Sequence, residues 1–162
     1  MKLIRTDREQ FAFHITSKEK ELLQHVLELY PLVPETHHRL SKGGDIPNHE
    51  ENQQLLNEAL KAQRTACRQA VEAMLSNPAR FTAGGGGFRL NLARGEIEWL
   101  LQVLNDVRIG SWIALGSPAY ERAEMASPDK KSFRHLMAME IAGGFQTLFL
   151  DAVSGDLLPE QN

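Results

Sequence analysis

The stretch from Glu96 to Leu115, EIEWLLQVLNDVRIGSWIAL, limits what this chain can become more than any other. Its apolar residues recur at helical spacing around most of the circumference, which predicts a helix buried between other elements. Yet Asn105, Asp106 and Arg108 sit at its centre, and buried polar groups require partners. A fold built on this segment must supply an apolar surround and also receive an amide, a carboxylate and a guanidinium.

The rest of the chain offers such surroundings. Lys2 to Thr6 alternates weakly, Asp7 to Gln10 is a polar connection of hairpin length, and Phe11, Phe13 and Ile15 alternate with Ala12 and His14, so two antiparallel strands are expected. Thr16 and Glu19 have the spacing of a capping box, and Leu22, Leu23, Val26, Leu27 and Tyr30 form the stripe of a helix that Pro31 and Pro34 stop. Residues 31–49 read as a long surface loop. Glu50 to Ser76 is the longest helical signal, with Leu55, Leu56, Ala59, Leu60, Cys67, Val71 and Met74 on one face and Glu58, Lys61, Arg68 and Glu72 on the other. Thr82 to Gly87, TAGGGG, reads as a flexible connection, and Phe88, Leu90 and Leu92 as a further strand. A polar loop at 117–129 precedes a last helix from about Lys130 to Val153, which Gly143-Gly144 weakens, and residues 156–162 read as a frayed tail.

The fold expected is α+β: a small antiparallel sheet of three or four strands packed against four main helices, in one domain over residues 1–155. At 162 residues such a domain buries about 70% of its unfolded surface. A shift of 77 residues lays Phe11, Phe13 and Ile15 on Phe88, Leu90 and Leu92, Glu19 on Glu96, and Leu22, Leu23, Val26 and Leu27 on Trp99, Leu100, Val103 and Leu104. It also lays Leu56, Ala59 and Leu60 on Phe133, Leu136 and Met137. Two strand-helix-loop-helix repeats, 1–78 and 79–155, are one reading. Chance agreement between amphipathic helices of equal spacing is the other.

Charge and motifs narrow the functions. A net charge of −3 gives no electrostatic case for nucleic acid. No run approaches the ~18 apolar residues of a membrane span, and MKLIRTDREQ lacks the apolar core of a signal peptide, so no membrane partner is expected. The single cysteine, Cys67, fits a reducing, cytoplasmic compartment. His37, His38 and His49 share one loop without a cysteine or a recognised ligand spacing, so no metal is expected, and no cofactor motif appears. The glycines at 84–87 lack the Lys and Ser or Thr of a phosphate loop, and no catalytic string is present, so the residues make no positive case for an enzyme.

The binding residues expected are Glu98, Gln102, Asn105, Asp106, Arg108 and Trp112. Projected on a helix, all but Asp106 share one mixed face, where Arg108 lies one turn from both Asn105 and Trp112 and can stack on the indole. One reading is a contact surface for another protein or a second copy of the chain. A second is a polar small-ligand site between the two halves around Asn105, Asp106 and Arg108. A third is an internal polar cluster fixing helix register, with Asp106 and Arg108 paired to loops or the last helix.

The segment Glu98-Trp99-Leu100, Leu104-Asn105-Asp106-Val107-Arg108 and Leu115-Gly116 resembles a bacterial family catalogued as "domain of unknown function 2017". Its members carry a Trp-Leu, a Leu-Asn-Asp-x-Arg and a Leu-Gly string, and a Gln in a last helix, a position Gln146 matches here. The resemblance implies a strand pair, a long central helix, this segment and a last helix, and it implies no reaction. Members occur with genes of an adaptor-and-protease quality-control system, which implies an accessory role in proteostasis. The function expected is a non-catalytic regulatory or protein-interaction module. A small-ligand protein and a structural homodimer are the alternatives.

Overall fold

The computed structural model describes residues 1–6, 9–37, 47–117 and 129–155. Among them lie β1 (Lys2–Thr6), β2 (Gln10–Ile15), α1 (Ser17–Glu28), α2 (His49–Ser76), β3 (Phe81–Gly84), β4 (Gly87–Ala93), α3 (Arg94–Ala114) and α4 (Lys130–Gly155). The strands form one antiparallel sheet in the order β1-β2-β4-β3. The fold is α+β with four strands. His38, the polar loop at 118–128 and the tail 156–162 lie outside the described residues.

Period-two alternation gives the sheet its apolar face: Phe11, Phe13, Ile15, Leu90 and Leu92 are buried, while Gln10, Arg89 and Asn91 are exposed. Onto that face come Leu23, Val26 and Leu27 of α1 and Leu100, Val103 and Leu104 of α3, all fully buried. The helix α4 lies along α3 and adds Ala142, Phe145 and Phe149. Phe149 meets Phe13 edge to face, with centroids 5.5 Å apart. By length and composition α4 is apolar enough to cross a membrane; here its buried side is part of the core.

The helix starts follow from their first residues. The Thr16 hydroxyl accepts from the Glu19 amide, and the Glu19 carboxylate accepts from the Thr16 amide, completing the capping box. At α3 the cap is Ala93, which has no side-chain acceptor. Glu96 supplies the returning half, accepting from the Ala93 amide at 2.8 Å while holding Arg80 in a two-pronged ion pair.

Strand, strand, helix, helix therefore occurs twice, and the central pairing is symmetric. Phe13 faces Leu90, its own counterpart 77 residues on, while Phe11 faces Leu92 and Ile15 faces Phe88. The correspondence stops at the second helix of each half. Ala138, Ala142, Phe145 and Phe149 are buried, and their counterparts Lys61, Thr65, Arg68 and Glu72 are exposed.

Several expectations are corrected. Thr82 to Gly87 is no flexible connection: it holds β3 and a two-residue turn, Gly85-Gly86, with φ of +61° and +76°. A tight hairpin of this kind needs positive φ at both central residues, which glycine adopts at no steric cost. The alternating strands at Lys2 to Thr6 and Phe88 to Leu92 each suggest an open edge for a partner strand. Phe88 to Leu92 is instead a central strand, and the edge strands are β1 and β3. The apolar face of α2 buries only Cys67, Val71 and Met74, and Leu55 is exposed. Length explains this, since 28 residues of helix run about 42 Å while strands of this sheet reach only about 20 Å. Gly143-Gly144 leave α4 unbroken. The helix α3 is buried on one side only, and Leu32 and Val33 of the supposed surface loop lie against it, with Val33 buried.

The hairpin generates a contrast. Gly86→Ala, where no atom lies within 4 Å but φ is +76°, is expected to cost about 1–2 kcal/mol through left-handed backbone alone. Gly84→Ala, equally open and without positive φ, is expected to be neutral or slightly stabilising. Urea unfolding midpoints of the two variants check this.

Candidate functional site

Packing divides α3 lengthwise. Ile97, Leu100, Val103, Leu104, Val107, Gly110 and Ser111 face the core, while Glu98, Gln102, Asn105, Arg108, Ile109 and Trp112 are exposed. Five of the six expected binding residues therefore share the outer face. Asp106 leaves that group and turns toward the segment that follows α1.

There Asp106 Oδ1 accepts from the backbone amides of Leu32 at 2.6 Å and Val33 at 3.2 Å. These amides belong to a stretch without regular structure, so the carboxylate stands in for a missing backbone acceptor. One turn further along the same side of α3, Gly110 lets the stretch approach. A Cβ at Gly110 would lie 2.7 Å from the Leu32 carbonyl carbon and from its Cβ. From the far side Arg64 of α2 donates Nη2 to the Val33 carbonyl at 2.7 Å. Residues 30–33 form a strap clamped between α2 and α3.

Tyr30 ends the strap's buried side. Its hydroxyl is pushed up to about 12, first by burial, then by the neighbouring Cys67 and Asp106 charges and a hydrogen bond with Cys67, with Arg64 acting in the opposite direction. Cys67 is a buried free thiol. Ser111 is fully buried, and its Oγ has no partner among the described residues.

Arg108, also expected to bind or to stack on Trp112, reaches toward α4. Its Nη1 donates to Gln146 Oε1 at 2.7 Å, and Gln146 Nε2 donates to the Leu101 carbonyl at 3.2 Å. Gln146 is buried, so this chain of bonds fixes the register of α3 against α4. Gln102 accepts from Gln63 of α2 at 2.7 Å. Glu98, Asn105 and Trp112 lie on the outer face.

Sequence reasoning missed Tyr30, Leu32, Arg64 and Gly110. A usable signal exists: Asp106 and Gly110 are four apart on one side of a helix, opposite a segment whose helix two prolines had just ended. Beside the strap, a cleft of about 320 Å³ opens between a 3-10 turn at Glu35–His37 and α2, lined in part by Glu35, Glu58, Lys61 and Arg64. Among the described residues no group of three or more His, Cys, Asp or Glu is placed to hold a metal. No protein-family model, curated protein or solved structure matches this chain.

Two tests address the clamp. Gly110→Ala is expected to cost about 1–3 kcal/mol by forcing α3 and the strap apart. Asp106→Ala is expected to cost about 2 kcal/mol by leaving two amides without an acceptor, and Asp106→Asn less, since one oxygen remains. Denaturant unfolding measures all three. For pH, a Tyr30 value raised from 10.0 to about 12 means the folded state holds this proton more tightly than the unfolded chain. Its contribution is complete below about pH 10 and is lost as pH rises through about 12. Stability measured from pH 9 to 12 should fall less steeply in Tyr30→Phe than in the parent.

Proposed function

We propose that this chain is a non-catalytic protein-interaction module of the cytoplasm, and that the outer face of α3 is its contact surface. The observation that carries the reading is the exposure of Trp112 at 40% and Ile109 at 37% on a helix whose other side is fully packed. Around them stand Glu98, Gln102, Asn105 and Arg108, so an apolar centre is bordered by amides and charges. Aromatic residues and arginine at the centre of a polar border are the usual composition of such surfaces.

The competing small-ligand reading places Asn105, Asp106 and Arg108 around one polar group. Asp106 and Arg108 are engaged on opposite sides of α3, with the strap and with Gln146, which favours the interaction reading. The homodimer is the self-directed form of the same proposal, with one α3 face meeting another. The reading also takes the two halves as repeats, supported by the pairing of Phe13 with Leu90 and by Leu23, Val26 and Leu27 matching Leu100, Val103 and Leu104 in burial. The resemblance to the bacterial family belongs here as well, since Asp106, Arg108 and Gln146 of the shared pattern all make contacts between elements.

The test is capture of partners by immobilised parent and by Trp112→Ala and Ile109→Ser, with light scattering of the free protein. Loss of capture with stability changed by less than about 0.5 kcal/mol supports the surface. Equal capture by parent and variants sinks it. A mass of one chain at high concentration removes the homodimer.

A further inference from the structure

The cleft beside the strap carries an inference separate from the α3 face. One wall is α2, which presents Glu58, Lys61 and Arg64 at successive steps of three residues; the other is the turn bearing Glu35, and Leu60 contributes an apolar lining. Two of these groups are already positioned. Arg64 is anchored through Nη2 to the Val33 carbonyl, leaving further guanidinium donors, and the Glu58 carboxylate is held by Gln54 Nε2 at 3.1 Å. Glu35 and Lys61 form no ion pair among the described residues, although charges of both signs line one small volume. Opposite charges that line a concavity without neutralising one another suit a ligand that brings both signs itself.

The spacing sets the ligand's length. From Glu58 to Arg64 the helix rises about 9 Å. An extended chain of two or three residues spans about 7–11 Å. The volume of about 320 Å³ falls within the range of small-molecule sites. We propose that this cleft binds short peptides of two or three residues with free termini. Arg64 and Lys61 take the terminal carboxylate, Glu58 and Glu35 the terminal ammonium, and Leu60 meets an apolar central side chain. Asp106 and Arg64 both hold Val33, two residues before Glu35, so the chain leading into that wall is fixed before the ligand arrives.

The test titrates the full chain with Gly-Leu-Ala carrying free termini and with its N-acetylated, C-amidated form, followed by amide NMR shifts of residues 54–64. Saturable shifts with the free tripeptide, and binding of the capped form weaker by about tenfold, are expected. Lys61→Met and Glu35→Gln alter exposed side chains, so each should weaken the free tripeptide by about fivefold while the melting temperature stays put. Arg64→Gln also removes a strap contact, so it is read only alongside those two. No shift at about 10 mM tripeptide, equal binding of the capped form, or undiminished binding by both Lys61→Met and Glu35→Gln would overturn the proposal.

Discussion

The carboxylate of Asp106 is the contact on which the arrangement of helices depends. It gives two amides of the strap the acceptor that no strand or helix provides, at a point where Gly110 has cleared the space for them. The same strap offers its Val33 carbonyl to Arg64, so a single irregular segment ties α2 to α3. That tie matters because α2 buries only three side chains along its 28 residues. Hydrophobic burial fixes the last turns of α2, and polar contacts with Arg64 and Gln63 govern the turns before them.

The near-symmetry of the sheet makes the clamp intelligible. Under the 77-residue shift that relates the central strands, Asp106 corresponds to Leu29 and Arg108 to Pro31. Where α1 ends, α3 continues for two more turns. Those extra turns carry the groups that fasten the chain leaving α1. Symmetry holds where both halves need the same thing, an apolar stripe over a shared sheet, as with Leu23 and Leu100. It fails where the first half must be tied down and the second must do the tying.

What the residues revealed beforehand followed the range of each interaction. The capping box of Thr16 and Glu19, the alternation of β2 and the bounds of α2 depend on neighbours a few positions away, and all were legible. The tetraglycine hairpin was not, because glycines in a row suit a loose linker and a two-residue turn equally well until a partner strand exists. The exposure of Leu55 was hidden for a similar reason: periodicity finds the apolar side of a helix and says nothing about where its cover ends. For the site, periodicity grouped Glu98, Gln102, Asn105, Arg108 and Trp112 correctly on one face. It could not find the partner of Asp106, a segment 74 residues earlier in the chain.

Arg108 shows why packing need not compete with the contact role proposed for the outer face of α3. The residue is exposed overall, yet its guanidinium bonds in a part-buried position against α4, with one Nη committed to Gln146, which is itself fixed by the Leu101 carbonyl. An unrestrained arginine loses much rotamer freedom when it meets a partner. Here that freedom is restricted by the bond to Gln146, and the planar fork keeps further donors. The helix thus turns Asp106 and Gly110 inward on the strap and sends Arg108 across to Gln146 of α4, one turn before Trp112. If the outer face of α3 is the contact surface proposed for it, the bond that sets the register of α3 against α4 also limits the ways Arg108 can meet a partner.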